Sequence, residues 1–146
     1  MTALSLEQAS RIVDGALKRA AELKFKPMTV AVLDCGGHLV AFKRQDRCGI
    51  LRPDIAYGKA WGALGMGAGG RSLAQRALAA PAFYTALVGV SQGRVVPVAG
   101  GVLVLGGSTE ILGAVGVSGD LPDNDENCAV YGIEQVGLVP CVGEIQ

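Results

Sequence analysis

The chain holds a single histidine, His38, so any imidazole ligation or near-neutral proton transfer by a side chain of that type falls to one position. It sits in Met28–Arg44, just after Asp34-Cys35-Gly36-Gly37, with a carboxylate four residues behind it. Three roles are open to His38: a structural strand histidine, a wall residue or ligand contact, and a general base. Further along, Arg52, Tyr57, Lys59 and Trp61 gather on one stretch. Arg52 or Lys59 can bind a carboxylate, while Tyr57 and Trp61, four apart on a helix, share a face that suits either core packing or a pocket wall. Asp34, Asp120 and Asp125 supply carboxylates. Asp34 fits a turn role and Asp120 to Asp125 a helix start, and Lys59 with His38 and Asp125 are the acid–base candidates. Gly100-Gly101 leaves room for a ligand or a close backbone approach. Ser118 lies in Gly-Val-Ser-Gly, which lacks the Gly-x-Ser-x-Gly elbow, so it reads as a turn or anion-binding hydroxyl rather than a nucleophile.

The elements that must position these residues follow from periodicity. Ser5 and Gln8 form a capping box for a first helix, which Pro27 stops. Met28 to Arg44 reads as a β-hairpin turning on Gly36-Gly37, with Leu39/Ala41 alternating with Val40/Phe42 and with His38 on the second strand. A second helix runs from about Pro53 to Met66 and is rich in Ala and Gly, which suggests close approach of another element. Gly65 to Gly70 spells Gly-x-Gly-x-x-Gly, but it ends a helix instead of following a strand, so a dinucleotide fold is rejected. Two short helices follow, Arg71–Ala80 and Ala82–Val90. Arg94–Val98 then reads as a strand, Val102–Leu105 as a second, and Glu110–Ser118 as a third that returns from a turn at Gly106–Thr109. A last helix starts near Glu126, capped by Asp123 or Asn124, and runs to about Val136. Strands arriving as hairpins predict a mainly antiparallel sheet of about five strands with helices packed on it, an α+β sandwich in one domain, 1–146.

Composition narrows the function classes. Of 146 residues, half are apolar and 18% charged, with 13 basic against 13 acidic. That balance disfavours nucleic acid and anionic membranes as partners, and the sparse charge suits burial in an oligomer. No run is long enough to span a bilayer, and the first residues lack a signal-peptide pattern, which points to the cytoplasm. The four cysteines (35, 48, 128, 141) have no metal-ligand or disulfide spacing, so no metal site is expected.

Four ordered motifs carry a family resemblance: Ala-Val-Leu-Asp-Cys-Gly-Gly-His-Leu-Val-Ala-Phe-Lys-Arg (31–44), Asp-Ile-Ala-Tyr-Gly-Lys-Ala (54–60), Gly-Gly-Val-Leu-Val (100–104), and Ile-Leu-Gly-Ala-Val-Gly-Val-Ser-Gly (111–119) followed by Asp125. Together they resemble the GlcG/HbpS family of haem-binding-like proteins. The resemblance implies a profilin-like sandwich that self-associates as a dimer or higher oligomer and binds a small molecule, haem or another tetrapyrrole in some members. It also implies neighbourhoods of glycolate or aromatic catabolism. The candidate ligand-site residues read from the chain itself are Arg52, Tyr57, Lys59, Gly100, Gly101, Ser118 and His38. The haem-ligating histidine that relatives carry on the first helix has no counterpart here, so an axial ligand would come from His38, Tyr57, Tyr84, Thr85 or a cysteine. Two other readings stand beside the ligand-binding one: a metal-independent isomerase, hydratase or lyase for a carboxylated or aromatic compound, and a non-catalytic accessory subunit.

Overall fold

The computed structural model describes residues 3–107 and 109–146. Helix α1 (Leu6–Glu22) opens with the expected capping box, Ser5 and Gln8 each bonding the other's backbone N–H. Its Ala9, Ile12, Val13, Ala16 and Ala20 form the buried stripe. Strands β1 (Thr29–Asp34) and β2 (Leu39–Arg44) form the hairpin. Helix α2 (Arg52–Met66) follows, then α3 (Gly70–Ala79) and α4 (Pro81–Val90). Strands β3 (Gly101–Gly106) and β4 (Glu110–Ser118), helix α5 (Pro122–Gln135) and strand β5 (Val139–Cys141) complete the chain. Ser108, in the turn expected between β3 and β4, lies outside the described residues.

The sheet has the order β2-β1-β4-β3-β5, and every pairing is antiparallel. One face carries α1 and α5 over Val30, Val32, Val102, Val104, Val115 and Val117. The other carries α2 over Leu33, Leu103, Leu105 and Ala114. The α2 glycines and those beneath it are explained by this contact. A Cβ at Gly116 would run into the Ala56 carbonyl, and one at Gly101 into the Lys59 carbonyl.

Four sequence expectations need correction. Arg94–Val98 is not a strand: it crosses the outer side of α2, where Gly58 and Gly62 leave a seat for Val95 and Val96, and Val96 N–H donates to the Gly58 carbonyl at 3.1 Å. Pro97 has no N–H to give a ladder. The fifth strand is instead β5, whose Pro140 and three-residue length hide it from periodicity. Helix α5 begins at Pro122, with Asp123 and Asn124 inside it, because the Asp120 carboxylate takes the Leu121 N–H and the Asn124 side chain at the helix entrance. Finally, His38 precedes β2, and Val40 is a bulge, since Leu33 pairs with Leu39 and Val32 with Ala41. The bulge puts Leu39 and Phe42 into one groove, where simple alternation had placed them on opposite faces.

Candidate ligand site

The expected site residues fall into two groups. The inner group lies at the ends of β3 and β4. Lys59, which α2 directs past the sheet, donates from Nζ to the Val117 carbonyl and to Asp125 Oδ2, both at 3.0 Å. Asp125 Oδ1 accepts the Asp120 N–H at 2.9 Å. Both side chains are buried, so the pair links the α2 layer to the α5 layer around the end of the strands. Gly100 makes the passage possible: its φ is +115°, and a Cβ there would stand 2.8 Å from Nζ. Burial pushes Lys59 below its ordinary value, with the Asp125 charge pulling back; burial pushes Asp125 up, with the Lys59 charge opposing. Arg52, half-buried at the start of α2, donates to the buried Ser118 hydroxyl at 3.2 Å. Among the described residues it has no carboxylate partner, while its charge is felt by both Lys59 and Asp125.

The outer group is built on the β1–β2 turn. Asp34 Oδ1 accepts the N–H groups of Gly36 and His38 at 3.0 and 2.9 Å, which is the turn role its position suggests. The same carboxylate holds His38 Nδ1 at 3.1 Å, and the His38 side chain is 80% exposed. Partial desolvation works against Asp34 ionising, but the two N–H donors and the imidazole prevail and hold it below its ordinary value. Gly37, at φ +82°, takes the turn through a conformation other residues resist, and its bare α-carbon seats the Trp61 indole. Tyr57 donates its hydroxyl to the Gly37 carbonyl at 3.3 Å, and Arg94 stacks on Trp61 at 4.2 Å. Tyr57 and Trp61 therefore do share a face, and it packs against this turn.

Beside the turn runs an apolar groove of about 220 Å³ walled by Ala31, Leu39, Phe42, Pro53, Asp54 and Tyr57. Leu39, Phe42 and Pro53 were not singled out from the sequence; the exposed Leu-x-x-Phe spacing becomes a signal only once the Val40 bulge is known. The structure thus unites Arg52, Lys59, Gly100, Gly101, Ser118 and Asp125 around the strand ends. It sets His38 and Tyr57 apart from them on the turn. Tyr84 is buried in α4, edge-on to Phe83, while Thr85 is exposed. Among the described residues, no cluster of three or more His, Cys, Asp or Glu could hold a metal ion, and no helix is long and apolar enough to cross a membrane.

Comparison with solved structures places this geometry. The chain is similar to a PduOC:heme complex, with 25% identity, a TM-score of 0.83, and 94% of this chain and 97% of that chain covered. It is similar to the Klebsiella pneumoniae protein ORFY, with 25% identity, a TM-score of 0.84, and 94% and 92% covered. A double mutant of Streptomyces reticuli HbpS is 27% identical, with a TM-score of 0.78 and 92% and 88% covered. No curated protein matches the sequence significantly. Residues 4–134 match the family described as haem degrading protein HbpS-like, and the chain belongs to that HbpS-like family.

Proposed function

We propose that this protein binds a small planar ligand of the tetrapyrrole class, haem above all, in the Leu39–Phe42–Tyr57 groove, with His38 as the axial ligand. The observation that carries the reading is the His38–Asp34 pair beside an apolar groove. With Nδ1–H donated to the carboxylate, the imidazole keeps its Nε2 lone pair for a metal, the arrangement that orients and strengthens histidine ligands. His38 is adjacent in the chain to Leu39 of the groove, and Tyr57 ties the groove to the same turn. The HbpS-like membership and the likeness to a haem complex support the ligand class.

The residues fit the group. Leu39, Phe42, Pro53 and Ala31 offer an apolar wall for a macrocycle. Bound haem would supply iron-centred redox and ligand-exchange chemistry. What the chain supplies is the Asp34-oriented imidazole and the apolar wall. A catalytic role for Lys59 and Asp125 has less support. Both are buried, and neither lines any of five surface cavities of about 210 to 620 Å³.

Hemin titration of the purified protein tests the proposal. The wild type is expected to give a defined Soret band; His38→Ala should shift that band and weaken affinity about tenfold or more, and Asp34→Asn should weaken binding less. A wild-type protein without a defined band refutes haem as the ligand, and a His38→Ala protein with the wild-type spectrum and affinity refutes the axial role.

A further inference from the structure

The Leu39–Phe42–Tyr57 groove has a single charged residue in its wall, Asp54. Asp54 stands three residues before Tyr57 on α2, so its carboxylate and the phenol ring share one helix face. Among the described residues Asp54 has no ion-pair partner. The three basic residues that flank the wall in the chain are held elsewhere. Arg52 donates to Ser118, Lys43 to Asp14 on α1, and Arg44 to the Cys48 carbonyl. The turn that Tyr57 grips adds a second carboxylate, Asp34, and no lysine or arginine. An acid in the first turn also favours its own helix, because the N-terminal N–H groups carry partial positive charge. That role needs only a place on α2. Asp54 also walls an apolar groove, together with two aromatic residues, Phe42 and Tyr57.

The groove is small. Its volume of about 220 Å³ is under the roughly 300–1,000 Å³ of sites that enclose a drug-sized ligand, so it takes one edge of a macrocycle and leaves the rest outside. Charge then decides which edge enters. A tetrapyrrole of the haem type has a hydrocarbon edge and an edge that bears two carboxylates. Bringing the acidic edge against Asp54 sets like charges side by side while the ligand displaces the water that screens them. At about 4 Å such a pair weakens binding roughly fivefold even in bulk water, and by more in a drier contact.

We propose that Asp54 is the specificity-determining residue of the groove, admitting the uncharged edge of a planar ligand and turning carboxylates out to solvent. For the tetrapyrrole this assignment rests on the function proposed above; for the charge preference it rests on the wall itself. The same wall favours a small aromatic ammonium ion over the matching carboxylate, since Asp54 supplies the counter-charge and Phe42 and Tyr57 supply aromatic rings.

Titration of the full chain with hemin and with hemin dimethyl ester, in one solvent, tests the assignment. The ratio of ester to hemin affinity is expected to fall about fivefold or more from wild type to Asp54→Asn. Comparing two ligands within one protein cancels any loss of helix stability, so an Asp54 that serves only its helix leaves the ratio unchanged. An unchanged ratio overturns the proposal. Where the wild type binds neither porphyrin, benzylammonium and benzoate decide, followed through the ring resonances of Phe42 and Tyr57. Benzylammonium is expected to shift them more than benzoate in the wild type and to lose that advantage in Asp54→Asn. Equal shifts from the two probes, or none from either, overturn the charge preference. A wild type that binds neither porphyrin yet sorts the two small probes leaves the role of Asp54 standing while the tetrapyrrole reading falls.

Discussion

Lys59 and Asp125 show what the molecule invests in a buried contact between its two helical layers. Each is pushed toward its neutral form by burial and drawn back by the other's charge across 3.0 Å. Removing one partner strands the other in a site it cannot share with water, so Lys59→Met should cost about 3–5 kcal/mol in urea unfolding. The paired replacement Lys59→Met/Asp125→Leu should cost clearly less, because no lone charge remains. Equal losses in the single and double variants would mean that the pair is not coupled. Asp120 gives the pH dependence. Donation from the Lys26 N–H comes first, then the Asn124 side chain and the Leu121 N–H, and together they hold its carboxyl below the ordinary value of 3.8. With the folded value below the unfolded one, the unfolded chain takes up the proton first. This stability is therefore complete above the unfolded value and drains as pH falls through it to the folded value. Asp120→Ala should lose about 1–2 kcal/mol at neutral pH and converge on wild type in acid. The thiols divide by the same physics: burial, with the Asp125 charge, pushes Cys128 up to about 12, while Cys35 is exposed in the turn. Alkylation should therefore modify Cys35 first and leave Cys128 until the chain unfolds.

At the scale of elements, α2 is the part whose composition and position explain one another. Its Ala and Gly residues let it lie directly on β3 and β4, and the extended 94–98 segment lie on it in turn. Gly116→Ala would force a methyl group against the Ala56 carbonyl, a backbone atom that cannot rotate away, so a loss of at least about 2 kcal/mol in thermal or urea unfolding is expected. Gly89→Ala, where a Cβ meets open space, should be neutral or stabilising in the isolated fold. The helices were legible in the sequence because each buries one stripe or is bounded by Pro and Gly. The hairpin was legible for its turn glycines, but the Val40 bulge was not, and with it went the groove wall of Leu39 and Phe42. Segment 94–98 has strand-like residues but spends its hydrogen bonds on a helix, and β5 is a strand only because β3 has a free edge beside it. Of the site, Lys59 and Asp125 were legible as separate acid–base candidates, but their pairing joins residues 66 positions apart, which no local pattern can settle.

The whole molecule has a gradient of cover that runs from its centre to its two edges. Strands β1 and β4 pair on both sides and lie between two helical layers, so their amides open only with the entire fold. At one edge β2 shows its outer side to solvent, and beyond the other hangs α4, which holds little of its own chain. Hydrogen exchange should follow this order, with the slowest amides in Thr29–Asp34 and Gly113–Ser118 and the fastest in Pro81–Val90 whenever the chain is monomeric. The same exchange read at two protein concentrations shows whether a second molecule covers that side: protection of α4 that rises with concentration places its cover outside the chain, while β4 should stay unchanged. Protection of α4 that ignores concentration would place its stabilising contacts within one chain, contrary to the exposure of Phe83, Val88 and Val90.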